Sequence, residues 1–438
     1  MQTNRIAVIG LGKLGLSFAV SLANAGYEVY GADIDEELIE QISNGVAPYP
    51  ESDVQSYLDN AGNNLNATTD TTEAVKNSDA TFVFVNTPLS ESGEHSLDAV
   101  LDACQTIGEA LPTTNAYHAV TIRSTVMPGS VGGPILETLE ESSGFTAGEE
   151  FGLCYNPEFT AVGEIIDGVE RPDFFLIGEH SPKAGNIVEA VCDTLRDNDA
   201  PIHRMSIESA ELAKMVNNTY RTMKISFANT MGQLADGVGA DIYEVIASLE
   251  SDSVINTRYL SPAARYGGPC YSRDNTAFSS MAEEAGASPE MAEATDAVND
   301  KHTRWIANAV RNLLDDGTVA ILGLSYKPGT TIAENSQGVK LVSELKDEYN
   351  IVCSDPEAIP DAQKRIAAED VTYTNPEEAV AAGDLVIITT PWEKFTRPSL
   401  YAGSDVTIVD LWRCVDTDPL QTVDYRPFGR GDLPGRLE

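Results

Sequence analysis

Cysteine chemistry is suggested by one segment of the chain, RYGGPCYSRD at residues 265–274. Two glycines precede Cys270, and a helical pattern runs on from about Ser272. Unpaired backbone N–H groups and the helix dipole favour the thiolate of a cysteine that stands just before a helix. Asp274 lies one turn later and can point to the same side. A lone cysteine more often serves packing, so its role depends on what stands near it.

Three other polar side chains have the types that carbonyl chemistry needs. Lys214 and Asn218 are four residues apart and share one face of a predicted helix. A cation and an amide donor are the groups that stabilise an oxyanion, although such a pair on a helix is usually solvated. Glu158 follows Pro157 at the end of a predicted strand and is a candidate general base.

A glycine-rich turn near the start of the chain predicts a dinucleotide site. Gly10, Gly12 and Gly15 follow the strand RIAVI and open a helix. These glycines allow a tight turn, a close approach to a pyrophosphate and helix–strand packing. Asp33 closes the second strand 18 residues beyond Gly15, which favours NAD over NADP. A thiol beside NAD can capture an aldehyde as a thiohemiacetal, which is then oxidised to a thioester.

Two α/β regions with a helical middle must position these groups. Strand-like runs (RIAVIG, EVYGAD, TFVFVNTP, AVTIRSTV, FGLCYNP, DFFLIG) alternate with helical patterns before residue 178, and again after 314 (TVAILGLSYKP, NIVCSDP, DLVIITTP, VTIVDLW). Such alternation predicts α/β folding with parallel sheets. We predict two Rossmann-like parallel-sheet domains, an NAD-binding one at 1–203 and a second at 315–438, joined by a central helical domain at 204–314.

The central region begins with one long predicted helix. From about Ser206 the apolar residues keep helical spacing for some thirty positions without proline, and the helix should end near Gly237 or Gly239. Such a helix is either a dimer interface or the spine of the domain. We expect a homodimer or a higher homo-oligomer through it.

The charge of the chain excludes several kinds of partner. There are 28 basic and 68 acidic residues, a net charge of −40, and the acids are spread along the chain. Their self-repulsion is relieved by screening salt, so we expect a salt-adapted, halophilic source. The same field opposes binding to nucleic acid and to anionic membranes.

Cysteine spacing and hydropathy indicate the compartment. The six cysteines form no CxxC pair and no metal-ligand spacing, so we predict reduced thiols and no metal site. No apolar run approaches the roughly 18 residues that span a bilayer, and the first residues lead directly into a strand. We therefore expect a cytoplasmic protein.

Taken in order, the motifs resemble those of the UDP-glucose/GDP-mannose dehydrogenase family of nucleotide-sugar dehydrogenases. The resemblance covers nearly the whole chain. It rests on the glycine turn at 10–15, Thr87-Pro88, STVMPG at 124–129, NPEF at 156–159, the lysine–asparagine pair at 214 and 218, GGPCYSRD at 267–274, GLSYKP at 323–328 and DLWR at 410–413. It implies two successive hydride transfers to two NAD molecules, and hydrolysis of a thioester on Cys270.

The resemblance also implies roles for particular residues. Cys270 would be the nucleophile, Lys214 and Asn218 would stabilise the oxyanion, Asp274 and Thr125 would hold the water, and Glu158 would assist proton transfer. The implied NAD contacts are Gly10, Gly12, Lys13, Leu14, Gly15, Asp33, Thr87, Pro88, Ser124, Thr125 and Arg273. The implied substrate contacts are Glu158, Phe159, Lys214, Asn218, Arg258, Tyr259, Tyr266, Gly267, Lys327 and Arg413.

Several positions depart from the family pattern. Val162 stands where a carboxylate is usual, and Glu164 is a candidate replacement. Val254 stands where an arginine is usual, with Arg258 and Arg265 nearby, and Glu334 replaces an arginine expected near the cofactor. GGPC instead of GGHC disfavours an acetamido sugar. UDP-glucose is therefore the leading substrate, ahead of GDP-mannose and UDP-N-acetylhexosamines.

Two other functions are compatible with a Rossmann start. A β-hydroxyacid dehydrogenase would make one hydride transfer without a cysteine, but the α/β region at 318–410 argues against it. A non-catalytic sugar-nucleotide sensor would keep the fold without the chemistry. The family resemblance further implies a role in polysaccharide biosynthesis.

Overall fold

Two compact units make up the computed structural model, Met1–Val216 and Asn217–Glu438. The residues described are 3–90, 95–114, 116–367, 370–420 and 423–437. The predicted fold class, with two parallel-sheet α/β regions and a helical middle, is confirmed. The division into domains at 1–203, 204–314 and 315–438 stays a prediction, because the second unit groups most of the helical segment with the second sheet.

The first unit contains an eight-stranded sheet in the order β3-β2-β1-β4-β5-β6-β7-β8. Its strands are β1 Arg5–Ile9, β2 Glu28–Ala32, β3 Leu65–Thr68, β4 Ala80–Val83, β5 His118–Ile122, β6 Phe151–Tyr155, β7 Phe175–Glu179 and β8 Ile202–Met205. All neighbours are parallel except β6 and β7, which are antiparallel. The expectation of an all-parallel sheet is wrong for this pair.

Helices cover both faces of this sheet. Along β1, Ile6 and Val8 belong to one buried apolar cluster, whereas Ala7 and Ile9 belong to another. The alternation follows because successive side chains of a strand point to opposite faces. The helices are α1 Lys13–Asn24, α2 Glu36–Ser43, α3 Val54–Ala61, α4 Thr71–Lys76, α5 Asp98–Ala110, α6 Leu136–Ser143, α7 Ile165–Glu170 and α8 Pro182–Leu195, with short 3₁₀ or π turns at Gly62–Asn64, Leu111–Thr113 and Val131–Ile135.

The long predicted helix is present as α9, Ile207–Val238. It begins in the first unit and continues into the second. It ends before Gly239, whose φ of +72° is the left-handed conformation that commonly terminates a helix. Lys214 and Asn218 are therefore one helical turn apart, as predicted.

The second unit contains a six-stranded parallel sheet in the order β11-β10-β9-β12-β13-β14. Its strands are β9 Thr318–Leu322, β10 Asn350–Ser354, β11 Val371–Tyr373, β12 Leu385–Ile388, β13 Thr407–Asp410 and β14 Asp424–Pro427. Its other helices are α10 Ile242–Leu249, α11 Tyr271–Glu284, α12 Glu290–Leu313, α13 Gln337–Leu345, α14 Ile359–Arg365, α15 Pro376–Ala382 and α16 Glu393–Thr396, with a 3₁₀ turn at Pro398–Leu400. Within the ranges described above, no helix combines the length and apolar character needed to cross a bilayer.

The two glycines before Cys270 lie in a crowded turn of the second unit. A Cβ atom at Gly267 would stand 2.6 Å from the carbonyl oxygen of Asn335, and one at Gly268 would stand 2.9 Å from the ring of Tyr326. Gly268 also has a φ of +79°, and its N–H donates to the carbonyl of Glu334 at 2.7 Å. The turn therefore holds the segment before Cys270 against the 325–336 loop.

We predict that Gly268→Ala destabilises the protein more than Gly286→Ala does. Gly286 has a similar φ of +68°, but no heavy atom lies within 4 Å of its added Cβ. Both variants bear the cost of a left-handed alanine, about 1–2 kcal/mol. Gly268→Ala should lose about 1–3 kcal/mol more through overpacking against Tyr326. Denaturant unfolding of the two variants measures the difference, and equal losses would contradict the packing argument.

We predict that added salt raises the Tm. With 68 acidic and 28 basic residues, the chain has 40 more carboxylates than cations. Between about 0.1 M and about 1 M KCl the screening length falls from about 10 Å to about 3 Å. Calorimetry along this series should show a rising Tm. Sucrose at matched osmolality is the control for solute exclusion; a Tm that is insensitive to KCl would rule out repulsion as a limit on stability.

Candidate functional site

The glycine turn of the first unit has the geometry of a dinucleotide site. Gly10 has a φ of +89°, and a Cβ at Gly15 would stand 1.8 Å from the carbonyl oxygen of Gly10. A Cβ at Gly12 would meet nothing within 4 Å, so the start of α1 is open. The Asp33 carboxylate accepts the N–H of Leu11 at 2.7 Å. These residues fit NAD: the open glycine and the N-terminus of α1 would bind the pyrophosphate, and Asp33 would bind the ribose.

The other predicted NAD residues of the first unit follow at the same edge of the sheet. Lys13 and Leu14 form the first turn of α1. Thr87 donates its hydroxyl to the carbonyl of Thr125 at 2.7 Å, and Ser124 donates to the carbonyl of Val85 at 2.6 Å. The carbonyl of Pro88 accepts the N–H of Ser96. Because β1, β4 and β5 are parallel neighbours, the segments after them meet at their carboxyl ends.

Lys214 and Glu158 are in contact within the first unit. The Lys214 ammonium is buried, donates to the carbonyl oxygen of Glu158 at 2.5 Å, and lies 4.8 Å from the ring centroid of Phe159. The Glu158 carboxylate forms an ion pair with Arg123. Lysine and arginine therefore bind different atoms of one glutamate, the lysine its backbone carbonyl and the arginine its carboxylate.

Arg123 was missed by the sequence argument. It directly follows β5, and its guanidinium is buried 4.2 Å above the ring of Phe18. Burial lowers the pKa of Arg123 to about 10. The one sequence signal is a charged residue at the end of an apolar run, and its partner Glu158 stands 35 positions away.

Cys270 lies at the N-cap of α11, as the sequence predicted. All six cysteines fall within the described ranges; four are buried, Cys414 is half-buried, and the Cys270 thiol is exposed. Burial raises the pKa of the Cys104 and Cys192 thiols to about 12. Cys270 is thus the one cysteine that a soluble substrate can reach without rearrangement of a core.

Asp274 and Asn218 lie together in the second unit. The Asp274 N–H donates to the carbonyl of Cys270 at 2.8 Å, in the first turn of α11. The buried Asp274 carboxylate accepts Nδ2 of Asn218 at 2.6 Å and Nε of Arg273 at 3.3 Å. The structure therefore brings together three of the predicted catalytic residues and one predicted cofactor residue, Arg273.

The loop before the cysteine contains strained and buried polar residues. Tyr259 has a φ of +67° and is 45% exposed, and a left-handed backbone at an aromatic residue often marks a functional site. The Tyr266 hydroxyl donates to the Asp296 carboxylate, which also accepts Nδ2 of Asn275 at 2.9 Å. The backbone N–H of Arg258 donates to Asn256 at 2.9 Å. The Tyr266 contacts hold this loop against α11 and α12.

The predicted substrate residues Lys327 and Arg413 follow β9 and β13. Lys327 stands next to Tyr326, whose ring packs on Gly268. Arg413 has a φ of +49°, and its guanidinium donates to the Phe428 carbonyl at 2.9 Å and to Asp241 at 2.8 Å. Its side chain therefore holds the C-terminal segment, and a nucleotide contact by Arg413 stays a prediction.

The structure also places the departures from the family pattern. Beside Val162, the Gly163 N–H donates to the Glu51 carboxylate, from a loop that the sequence did not single out. Glu334 pairs with Arg365 at 3.3 Å. Arg265 is buried and pairs with Asp300 at 2.9 Å, so its guanidinium points into the unit. In the part of the chain that is described, no cluster of three metal-ligating side chains occurs.

Comparison with known proteins identifies the family. Residues 4–196 match the NAD binding domain of the UDP-glucose/GDP-mannose dehydrogenase family, residues 208–301 its central domain and residues 320–417 its UDP binding domain. The last match disfavours a β-hydroxyacid dehydrogenase, for which a second α/β domain was not expected.

Relatives with named activities match over most of the chain. The UDP-glucose 6-dehydrogenase AglM of Haloferax volcanii is 31% identical over 397 residues, covering 89% of this chain and 92% of that protein. The GDP-mannose 6-dehydrogenase of Pseudomonas putida is 31% identical over 424 residues, covering 93% and 95%. The solved UDP-glucose dehydrogenase of Pyrobaculum islandicum is 28% identical, with a TM-score of 0.87 and 98% of both chains covered. The chain therefore belongs to the UDP-glucose/GDP-mannose dehydrogenase family and is an NAD-dependent dehydrogenase.

Proposed function

We propose that this enzyme oxidises the primary alcohol of a nucleotide sugar to a carboxylate, with UDP-glucose converted to UDP-glucuronate as the leading reaction. The observation that carries the proposal is the exposed Cys270 at the start of α11, beside the buried Asp274–Asn218 pair. The relatives support a nucleotide sugar as the substrate class. UDP-glucose ranks first because two of the three relatives above are named for it, and GDP-mannose and UDP-N-acetylhexosamines are the alternatives.

The first half of the proposed reaction ends with a covalent bond to Cys270. NAD, when bound, supplies the acceptor for the hydride in each oxidation. The alcohol loses a hydride and a proton to give an aldehyde, and the Cys270 thiolate adds to its carbonyl carbon. Lys214 and Asn218 stabilise the oxygen that becomes negative in this addition. Loss of a second hydride from the carbon of this oxyanion leaves a thioester.

The second half of the proposed reaction is hydrolysis of that thioester. A water molecule held by Asp274 and Thr125 adds to the carbonyl, and Glu158 assists the proton transfer. The C–S bond then breaks, which releases the carboxylate and restores the Cys270 thiolate. Glu158 is held beside Lys214 by the hydrogen bond of its backbone carbonyl to that lysine and by its ion pair with Arg123.

We propose as substrate contacts the residues that the family resemblance implies. Phe159 lies beside Lys214, and Arg258, Tyr259, Tyr266 and Gly267 belong to the loop before Cys270. Lys327 would bind the nucleotide part. The internal hydrogen bonds of Arg413 support a holding role for it rather than a direct contact.

We further propose that the enzyme is a homodimer through α9. Tyr220, Phe227 and Leu234 recur every seven residues on this helix and are 57%, 52% and 56% exposed. A heptad repeat places them on one face, and a continuous exposed apolar face usually marks an interface. A second copy of this chain is the occupant that a helix with this self-complementary repeat fits best.

Replacement of the nucleophile tests the catalytic proposal. We expect the wild-type enzyme to form two NADH per sugar and Cys270→Ser to form no carboxylate, with nearly unchanged NAD binding in a fluorescence titration. Cys414→Ser is the matched control, because serine keeps a hydrogen bond to Asp410 like that of the half-buried thiol. A fully active Cys270→Ser enzyme would overturn the mechanism. One NADH per sugar would indicate a single-step dehydrogenase, and none a sensor.

A charge on the exposed face of α9 tests the dimer. We expect Phe227→Asp to give a monomer in light scattering with size-exclusion chromatography in molar KCl, where repulsion between copies is screened. Met291→Asp is the control, because Met291 is 59% exposed on α12 and an acid in that first turn suits the helix dipole. If the wild-type chain is a monomer, or if Phe227→Asp remains a dimer, this interface is wrong.

A further inference from the structure

Glu211 is a fully buried acid that the proposed reaction does not use. It lies near the start of α9 and is 0% exposed. Its carboxylate accepts the N–H of Gly129 at 2.7 Å and the N–H of Val131 at 2.8 Å. Glu211 therefore ties α9 to the end of the STVMPG segment, which contains Thr125.

The other end of that segment is also fixed. The Thr125 carbonyl accepts the Thr87 hydroxyl at 2.7 Å, and Ser124 donates to the Val85 carbonyl at 2.6 Å. Between these anchors the chain turns at Gly129, whose φ is +91°. The loop at 124–131 is thus held at two points, one on the segment that follows β4 and one on the Glu211 carboxylate.

Glu211 also stands close to Lys214 along α9. The two residues are three positions apart, about one helical turn. The Lys214 ammonium in turn holds the carbonyl of Glu158. One carboxylate therefore links the helix that bears Lys214 to the loop that bears Thr125, in the same unit as Glu158.

Burial of this acid is costly. Desolvation raises the pKa of Glu211 to about 7, against the opposing effect of the backbone N–H donors. An apolar residue would avoid that cost but would leave the Gly129 and Val131 N–H groups without an acceptor. A carboxylate is the side chain that can accept from both at once.

We propose that Glu211 is a positioning residue for thioester hydrolysis, because it fixes the loop that places Thr125 against the water. The inference rests on the proposed function, in which Thr125 and Asp274 hold that water. The implied NAD contacts Ser124 and Thr125 are also held by Val85 and Thr87, so we expect capture by Cys270 and the two oxidations to depend less on Glu211 than hydrolysis does. Loss of Glu211 should therefore slow hydrolysis selectively.

The test compares the Glu211→Gln variant with the wild-type enzyme by rapid mixing with NAD and UDP-glucose, following NADH formation. Glutamine keeps the shape but turns an NH₂ group toward one of the two N–H donors. We expect a burst of two NADH per active site at the wild-type rate, followed by a steady state about 10- to 100-fold slower than wild type, as a small misplacement of a reacting group causes. The KM for NAD should change by a smaller factor than the steady-state rate. Glu208→Gln, an exposed acid one turn earlier on α9, is the matched control.

The outcomes separate this inference from the proposed function. Equal loss of the burst and the steady state in Glu211→Gln would show a merely structural role, and an unchanged steady state would show no role; either overturns the inference. If Glu211→Gln does not fold, as judged by its Tm, Glu211→Asp is read by the same criteria, since its shorter carboxylate cannot reach both donors. If the wild-type enzyme itself does not form two NADH per sugar, the proposed function is wrong, whatever the Glu211 variants show.

Discussion

Buried backbone N–H groups need acceptors, and side-chain carboxylates supply them at the loops that carry the motifs of this protein. The pattern is the same in both units. Asp33 accepts from Leu11, Glu211 from Gly129 and Val131, Glu51 from Gly163, Asp355 from Leu324 and Ser325, Asp410 from Trp412 and Cys414, and Asp236 from Gly429 and Gly431. The geometry of each loop therefore depends on one acid elsewhere in the same unit.

The acid that follows the second strand of each sheet, Asp33 or Asp355, has different hydrogen-bond partners in the two units. In the second unit, Gly323 and Gly338 make the same close approach as Gly10 and Gly15, and Asp355 ends β10 as Asp33 ends β2. The Asp355 carboxylate, however, also accepts the Ser325 hydroxyl at 3.0 Å and Nε1 of Trp392 at 3.2 Å. The second sheet therefore repeats the glycine turn and the acid of the first, but this acid accepts hydrogen bonds from two further side chains.

Local sequence patterns predicted much of this architecture. The glycine turn, Asp33, the long helix and the position of Cys270 at a helix start all follow from neighbouring residues, and the structure has each of them. Four strands were not predicted: β3, β8, β11 and β14. They are only three or four residues long and mostly half-buried, so they lack the apolar runs that indicated the other strands.

Partnerships between distant residues could not be predicted. Arg123 pairs with Glu158 across 35 positions, Glu211 reaches Gly129 across 82, and Asp296 receives Tyr266 across 30. Nothing in the local pattern of either partner specifies the other, because the sheet order and helix packing bring them together. Arg265 shows the same limit, since it was a candidate to replace the arginine that is usual at position 254 and its guanidinium pairs instead with Asp300.

The proposed reaction requires Cys270 to carry the substrate as a thioester, and mass spectrometry of the enzyme tests this most directly. Wild-type protein turning over its nucleotide sugar with NAD is quenched in acid, digested and analysed by mass spectrometry. We expect an adduct of a nucleotide uronyl group on the peptide that contains Cys270, removed by hydroxylamine as thioesters are. An enzyme that forms the carboxylate while this peptide stays unmodified at every quench time would contradict the account.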